Sequence, residues 1–255
     1  MPKTIAMLGL CAVLTAPIHA ASIFFEDFND VTSTSTLEDL SAWGWNGYTG
    51  TSTTLVEDSP SSNTHRAGYL NSTGGPNSST SNGYLVFQNR TGAPAGVDYF
   101  VYTSTGVTDS PFSSFDPALN STITVNWKRN GDGFSTNGGY YLALEVAGAW
   151  YVSATNHGTG TTPSLNLAAA TWRNLDLQTG TGAHLQIGEN SSTFSQIIAN
   201  NGQITGIGFY VDDLVATTAN RTIRIDDINI DVVPEPSMSA FVLTGSVLLL
   251  RRRRK

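Results

Sequence analysis

The sequence predicts an all-β fold, a two-sheet sandwich of jelly-roll-like type. Short alternating or β-branched runs recur from Ala21 to Val232, and Gly, Asn, Ser and Pro separate them. No helical period of useful length occurs in that stretch. Many short strands with regular turn signals are typical of sandwiches and jelly rolls.

Twelve strands are expected along this body. Their limits are Ser22–Asp27, Thr53–Glu57, Ala67–Asn71, Tyr84–Gln88, Tyr99–Thr103, Ser121–Lys128, Tyr140–Ala147, Trp150–Ala154, Thr171–Leu177, His184–Ile187, Ile204–Val211 and Arg221–Val232. In the last strand the alternation changes phase at Asp226-Asp227, and one extra residue in a period of two predicts a β-bulge.

The N-terminus has the pattern of a secretion signal over residues 1–20. Lys3 supplies a short positive region, an apolar run follows from Ile5 to Pro17, and small residues at Ala20 and Ala21 offer a cleavage site. The single cysteine, Cys11, lies inside this leader, so the mature body is expected to contain no disulfide. We expect the leader to be helical.

The C-terminus has three parts. Val233-Pro234-Glu235-Pro236-Ser237 closes the body, an uncharged run of 13 residues follows from Met238 to Leu250, and the chain ends in Arg251, Arg252, Arg253, Arg254 and Lys255. As a helix the run would be about 20 Å long. The hydrocarbon core of a bilayer is about 30 Å thick, so the run suits a temporary hold better than a permanent anchor.

This tail resembles the PEP-CTERM sorting signal of Gram-negative bacteria over Val233 to Lys255. The resemblance implies that an exosortase, a membrane protease, is a partner and processes the tail after transient membrane insertion. It also implies an inner-membrane intermediate, followed by delivery to the cell surface or to the exopolysaccharide matrix. The expected organisation is a signal peptide (1–20), a β-sandwich domain (21–232) and a sorting signal with a short hydrophobic helix (233–255).

The charge of the body argues against nucleic acid as a partner. Between residues 21 and 233 there are seven Lys and Arg against 19 Asp and Glu, which gives a formal charge of −12. Such a surface repels phosphate backbones and anionic membranes. It is compatible with divalent cations.

Acidic residues near the two ends of the body form the first candidate site. The segments Phe24–Asp30 and Arg224–Ile228 resemble the first and last strands of jelly-roll carbohydrate-binding and concanavalin-like domains, several of which share a structural calcium ion between these strands. Calcium prefers hard oxygen ligands. The resemblance implies a structural calcium site, with no other cofactor expected, from the set Glu26, Asp27, Asn29, Asp30, Asp226 and Asp227. Solvated strand-edge charges are the alternative.

An aromatic group forms the second candidate site. Trp43, Trp45 and Tyr48 lie close together in a Gly- and Asn-containing stretch outside the expected strands. Exposed aromatic rings can stack on the apolar faces of sugars, whereas buried ones fill sandwich cores. Both interpretations are open at this level.

Catalytic motifs are weak in this chain. Glu145 lies on an expected strand without a nearby partner carboxylate in sequence, and the body histidines His65, His157 and His184 are isolated. The sequence therefore favours a non-enzymatic surface or matrix protein. A carbohydrate-binding module that holds exopolysaccharide is the alternative, and a glycan hydrolase is the second alternative.

Overall fold

The chain folds into two antiparallel β-sheets packed face to face. The computed structural model describes residues 20–29, 31, 38–51, 54–57, 65–72, 75–76, 82–89, 97–105, 111–130, 139–157, 162–178, 184–199, 202–214 and 221–234. The strands in chain order are β1 Ala21–Glu26, β2 Asn46–Thr51, β3 Thr54–Glu57, β4 His65–Ser72, β5 Asn82–Asn89, β6 Val97–Thr103, β7 Asn120–Asn130, β8 Gly139–Val146, β9 Ala149–Ser153, β10 Ser164–Asn166, β11 Thr171–Gln178, β12 His184–Thr193, β13 Ile204–Leu214 and β14 Arg221–Pro234.

The six-stranded sheet is organised around β14. Its order is β10-β7-β14-β5-β4, and β1 pairs with the second half of β14. Ala21 lies opposite Val232 and Glu26 lies opposite Ile228, so the first and last strands of the body are neighbours. This juxtaposition brings the two acidic segments of the chain together.

The eight-stranded sheet has the order β12-β11-β9-β8-β13-β6-β2-β3. Its end strands β3 and β12 approach each other although they are the most distant in strand order. The sheet is therefore strongly curved. We call the face turned towards the six-stranded sheet the inner face, and the opposite face the concave face.

The main hydrophobic core fills the space between the sheets. Its largest members include Trp45, Trp127 and Trp172, which are at most 2% exposed. Two of these three have partners for their N–H groups: Trp127 Nε1 donates to the Tyr140 hydroxyl at 3.0 Å, and Trp172 Nε1 donates to the carbonyl of Leu167 at 3.3 Å, whereas Trp45 Nε1 has no partner within the described residues. These bonds offset the desolvation of the aromatic N–H groups.

The expected irregularity in the last strand is present. The β14–β7 register shifts between Asp226 and Asn229, and Asp227 has a left-handed φ of 49°. The Asp227 amide donates to Oδ1 of Asp226 at 2.8 Å. Two consecutive aspartates at one bulge thus direct their side chains differently: Asp226 is fully buried, whereas Asp227 is partly exposed.

The all-β prediction is confirmed, with two strands more than expected. All twelve expected strands occur, and β12 continues to Thr193. The additional strands are β2 and β10, which are short and rich in Gly, Asn, Thr and Ser. Pairing with β6 and β7, respectively, places them in the sheets, because local propensity alone is too weak.

No helix within the described ranges is long and apolar enough to cross a membrane; the longest is a four-residue turn, Phe194–Ile197. The expected leader helix, the sorting residues Glu235, Pro236 and Arg251 to Arg254, and the candidate ligand Asp30 lie outside the described residues. Pro234 is described as the last residue of β14, opposite Asn120.

A close approach at Gly208 of β13 provides a test of the sheet geometry. A Cβ at this position would lie 2.4 Å from the carbonyl oxygen of Val101, so the backbones of β13 and β6 would have to separate. We expect Gly208→Ala to lower the free energy of unfolding by about 1–3 kcal/mol in urea denaturation.

Gly188 of β12 is the matched control for this substitution. Its nearest heavy atom would be 3.4 Å from a new Cβ, an ordinary contact. Gly188→Ala should therefore leave the midpoint nearly unchanged. Equal effects of the two substitutions would contradict the proposed close approach.

Candidate functional site

A second hydrophobic cluster covers the concave face. It is separate from the main core and comprises Phe100, Ala143, Trp150, Val152, Leu175, Leu185 and Tyr210, with Tyr48, Tyr102, Tyr141, Leu177 and Ile187 partly buried against it. The members come from seven consecutive strands of the sheet, from β2 at one side to β12 at the other. The curvature of the sheet brings them around one shared space, which explains why residues on an outer sheet face are buried.

Four aromatic residues form one row across the strands of this face. Tyr48 of β2 is opposite Phe100 of β6, Phe100 is opposite Tyr210 of β13, and Tyr210 is opposite Tyr141 of β8. Directly opposite residues share a sheet face. The row therefore runs perpendicular to the strands, as a continuous aromatic band.

Two further rings join this band from the next rows. The Tyr102 ring is stacked with that of Tyr48 at 6.3 Å and 12°, and with that of Phe100 at 5.0 Å and 21°. Trp150 contacts Tyr102 at 4.8 Å between ring centroids. Phe100 is fully buried and Trp150 is 8% exposed, whereas Tyr48 and Tyr102 remain partly exposed. We call Tyr48, Tyr102 and Tyr141, the partly exposed tyrosines of the face, the tyrosine ledge.

Two glycines on β13 make room for the large rings. A Cβ at Gly206 would lie 2.9 Å from the Trp150 ring, and one at Gly208 would lie 2.7 Å from the Cβ of Tyr102. Any side chain at these positions would displace its aromatic neighbour. The absence of side chains on β13 thus lets Trp150 and Tyr102 lie across the middle of the face.

Two carboxylates lie beside the aromatic band: Asp98 in β6 and Asp212 in β13. The Tyr210 hydroxyl is hydrogen-bonded to Asp98, and its pKa is raised well above the ordinary value by burial first and then by the charges of Asp98 and Asp212. Burial also raises the pKa of Tyr141, to which the charge of Asp212 adds and which Arg173 opposes. These hydroxyls stay protonated and can donate or accept hydrogen bonds.

A further carboxylate lies beside Trp150. Glu145 is directly opposite Trp150 in the β8–β9 pair, and its Oε2 accepts a hydrogen bond from the Thr205 hydroxyl at 2.9 Å. The concave face therefore combines flat aromatic surface with several oriented hydrogen-bonding groups. That combination suits a ligand with apolar faces and many hydroxyls.

The structure separates the three aromatic residues predicted from the sequence. Trp45 is fully buried in the main core, where its ring is 5.9 Å from that of Phe28, so its predicted role in sugar stacking is wrong. Trp43 packs partly against the same core, and its Nε1 donates to Oε2 of Glu38 at 2.8 Å, away from the concave face. Tyr48 alone belongs to the tyrosine ledge.

The remaining aromatic residues of the face were not identified from the sequence. They are Trp150, Tyr102, Tyr141 and Tyr210, which lie on four different strands. The available signal was their alternation with inner-face residues: Phe100, Tyr102 and Tyr141 alternate with Tyr99, Val101 and Tyr140. A strand that is hydrophobic on both faces must be covered on both.

The predicted calcium ligands lie at the β1–β14 junction. Glu26 is 4% exposed and Asp226 is fully buried. The Glu26 carboxylate accepts from the Phe28 amide at 2.9 Å, and Asp27 binds the Asn29 amide and side chain at 3.1 and 2.6 Å. These contacts shape the end of β1 and keep its oxygen atoms at the junction.

Electrostatics at this junction favour a cation. The pKa of Asp226 is raised to about 7, first by burial and then by the charge of Asp227, while the hydrogen bond from the Asp227 amide and the charge of Lys128 oppose this rise. The Lys128 ammonium forms an ion pair with Asp227. Oxygen donors of this kind fit calcium. Within the described part of the chain, however, no group of three acidic, His or Cys side chains converges closely enough to hold a metal ion.

Among the described residues, Ser153 and His157 form a contact that resembles a catalytic pair. Ser153 Oγ is 3.0 Å from Nε2 of His157, but Ser153 is fully buried, and its hydroxyl also contacts the Leu142 amide and the Thr155 carbonyl. The imidazole is 5.1 Å from the Trp127 ring. The contact between Ser153 and His157 stabilises the core, and the buried serine hydroxyl is not accessible to a substrate from solvent.

Comparisons with known proteins identify similar folds. No family model matches the sequence, and no curated protein matches it. The chain is similar to the family 11 carbohydrate-binding module of the cellulase Lic26A-Cel5E of Clostridium thermocellum, with 11% identity over 85% of this chain and 96% of that one, at a TM-score of 0.41.

Other solved structures have comparable similarity. The Stig cyclase Fisc from Fischerella sp. TAU shares 14% identity over 86% of this chain and all of that one, with a TM-score of 0.42. The mannan-recognising module TmCBM27 shares 12% over 84% of this chain and 98% of that one, at 0.36. Carbohydrate-binding modules and an enzyme thus both occur among these structures. Similarity of this size gives no basis for assigning a ligand to this chain.

His157 predicts how stability depends on pH. Burial lowers its pKa from the ordinary 6.5 to about 4, so the folded protein holds the neutral imidazole. This contribution to stability is complete above pH 6.5 and is lost as the pH falls from about 6.5 towards 4, by at most about 3 kcal/mol.

Urea denaturation at pH 7.5 and 4.5 measures this effect. The wild-type protein should lose more stability between the two values than His157→Gln, which cannot take up the proton. Subtracting the stability loss of the variant from that of the wild type removes the contribution of the carboxylates, which both proteins share. Identical pH dependence would show that His157 does not titrate in this way.

Proposed function

We propose that this chain is a non-catalytic, carbohydrate-binding surface protein whose concave face holds a polysaccharide. The tyrosine ledge is the observation on which the proposal depends. Tyr48 and Tyr102 have nearly parallel, partly exposed rings, and the Tyr102 ring packs on the buried rings of Phe100 and Trp150. A rigid aromatic support of this kind loses little entropy when a sugar ring stacks on it.

Polar groups around the ledge supply the second requirement of sugar binding. A sugar presents an apolar ring face and a rim of hydroxyls. The partly exposed carboxylates of Asp212 and Glu145 and the hydroxyl of Tyr141 can bind such a rim. Asp98 and Tyr210 are buried and hydrogen-bonded to each other, so they support the site from beneath. The hydrogen bond from Thr205 sets the position of the Glu145 carboxylate before the ligand arrives.

A surface protein without a ligand remains the competing proposal. The feature that favours binding is the unequal burial of the concave cluster: its deepest members are covered, but the tyrosine ledge is left partly exposed. A purely structural second core would gain more by covering these rings as well. A glycan hydrolase is disfavoured because the Asp98 carboxylate binds the Tyr210 hydroxyl and Glu145 binds Thr205.

Export and sorting form a separate part of the proposal and depend on the sequence alone. The leader and the Pro-Glu-Pro tail support secretion, exosortase processing and delivery to the surface or matrix. Expression in a Gram-negative host that contains an exosortase, followed by mass spectrometry of the surface fraction, tests this. Full-length protein retained in the inner membrane would contradict it.

We also propose that a calcium ion stabilises the β1–β14 junction, with ligands drawn from Glu26, Asp27, Asp226, Asp227 and Asp30; the described carboxylates would have to move closer together to coordinate it. Support comes from the two buried carboxylates and the raised pKa of Asp226. The ion would supply positive charge to a cluster that is costly to ionise alone.

Substitution of the tyrosine ledge tests sugar binding. We expect Tyr48→Ala and Tyr102→Ala each to weaken binding about tenfold or more in affinity electrophoresis against a panel of neutral and acidic polysaccharides, because each removes one stacking ring. Tyr151→Ala is the matched control. Tyr151 is a partly exposed tyrosine of β9 that packs against the main core instead. Loss of binding in the control alone would contradict the assignment.

Thermal unfolding with and without calcium tests the metal proposal. We expect calcium to raise the melting temperature of the wild-type protein and EDTA to reverse the shift, because the ion binds the folded state. Asp226→Asn should abolish the shift, whereas Asp176→Asn, at an exposed position of β11, should retain it. An unchanged wild-type melting temperature in both conditions would exclude a structural calcium ion.

A further inference from the structure

Arg173 is a cation on the concave face. In β11 it is directly opposite Val152, a member of the concave cluster, while its neighbour Trp172 points into the main core. Strand alternation therefore directs the Arg173 side chain to the concave side. The row of directly opposite residues continues from Val152 through Ala143 and Gly208 to Tyr102, so Arg173 shares this face with the tyrosine ledge.

The Nε atom of Arg173 is buried and has no hydrogen-bond partner within the described part of the chain. A buried donor without an acceptor is unfavourable. The other cations whose side chains the structure describes belong to the six-stranded sheet: Lys128 pairs with Asp227, Arg129 lies over the Tyr140 ring at 5.4 Å, and Arg224 donates to Oδ1 of Asn130 at 3.3 Å.

We propose that Arg173 binds the carboxylate of a uronic acid unit, and that the ligand of this face is an acidic polysaccharide. This inference rests on the proposed function. A guanidinium presents a planar pair of N–H donors that matches a carboxylate, and this contact supplies the missing acceptor for Nε. The sugar that carries the carboxylate stacks on the tyrosine ledge next to Tyr141.

The charges on the two sides of the Tyr141–Tyr210 pair give the ligand a direction. In the strand order, Asp98 of β6 and Asp212 of β13 lie on one side of Tyr141 in β8, and Arg173 of β11 lies on the other. A carboxylate beside the aspartates is repelled, whereas one beside Arg173 is attracted. The face therefore accepts a uronic acid at the β11 side and hydroxyl-bearing, uncharged parts at the β6 side.

Because the body has a formal charge of −12, the ligand carboxylate is attracted only at short range, by Arg173. Long-range forces repel a dense polyanion, so affinity depends on one well-placed ion pair and not on general attraction. Polymers with closely spaced sulfate groups should bind poorly. Discrimination among glycans should therefore follow the carboxylate and not the total charge.

Isothermal titration calorimetry with matched oligosaccharides tests the proposal. The probes are tetramers in which one terminal galacturonic, mannuronic or glucuronic acid is joined to neutral sugars, each with its carboxyl-reduced, neutral counterpart. For at least one pair we expect the full-length wild-type protein to bind the acid at least tenfold more tightly. Arg173→Gln should remove this preference, Arg173→Lys should retain part of it, and Arg224→Gln, on the six-stranded sheet, should retain all of it.

The outcomes separate this inference from the proposed function. Neutral tetramers that bind as well as the acids, with loss of binding in Tyr102→Ala but not in Arg173→Gln, would overturn the role of Arg173 and leave sugar binding intact. If no tetramer, acidic or neutral, binds the wild-type protein, both proposals fail. Melting curves of Arg173→Gln that match the wild type ensure that a lost preference reflects the missing guanidinium.

Discussion

The missing side chains at Gly206 and Gly208 are the constraint on which the concave face depends. They lie in the middle of β13, the strand at the centre of the aromatic row, and the rings of Trp150 and Tyr102 occupy the space above them. With any larger residue there, these rings would turn outward and the sheet could not close around them. Glycine weakens β13 itself, but the space that these two residues leave allows the rings of neighbouring strands to pack.

The curvature that follows divides the hydrophobic residues into two clusters with different tasks. The main core between the sheets contains the fully buried tryptophans and stabilises the sandwich. The concave cluster is supported from below by Phe100 and Trp150 but keeps Tyr48, Tyr102 and Tyr141 partly exposed. The site is therefore carried on paired strands and not on loops, which keeps its rings fixed relative to one another.

The sequence predicted the architecture better than the site. Period-two patterns located twelve strands, and the doubled aspartate in the last strand indicated the bulge at Asp226-Asp227. Local pattern could not distinguish the two faces of strands that are hydrophobic on both sides. For Trp45 the choice between core filling and sugar stacking was therefore open, and the structure shows core filling, whereas Tyr102 and Tyr141 were not identified. Their proximity depends on the pairing of β6, β13 and β8, which are far apart in the chain.

The central claim is that the concave face of the eight-stranded sheet binds sugar. Amide chemical shifts of the isotope-labelled protein, followed during titration with xylo-, manno- and galacturono-oligosaccharides, test it most directly. The account predicts that at least one of these series perturbs residues of β2, β6, β8 and β13 around Tyr48, Tyr102 and Tyr141. Perturbations confined to the six-stranded sheet, or to the Leu40–Trp43 turn, would contradict it.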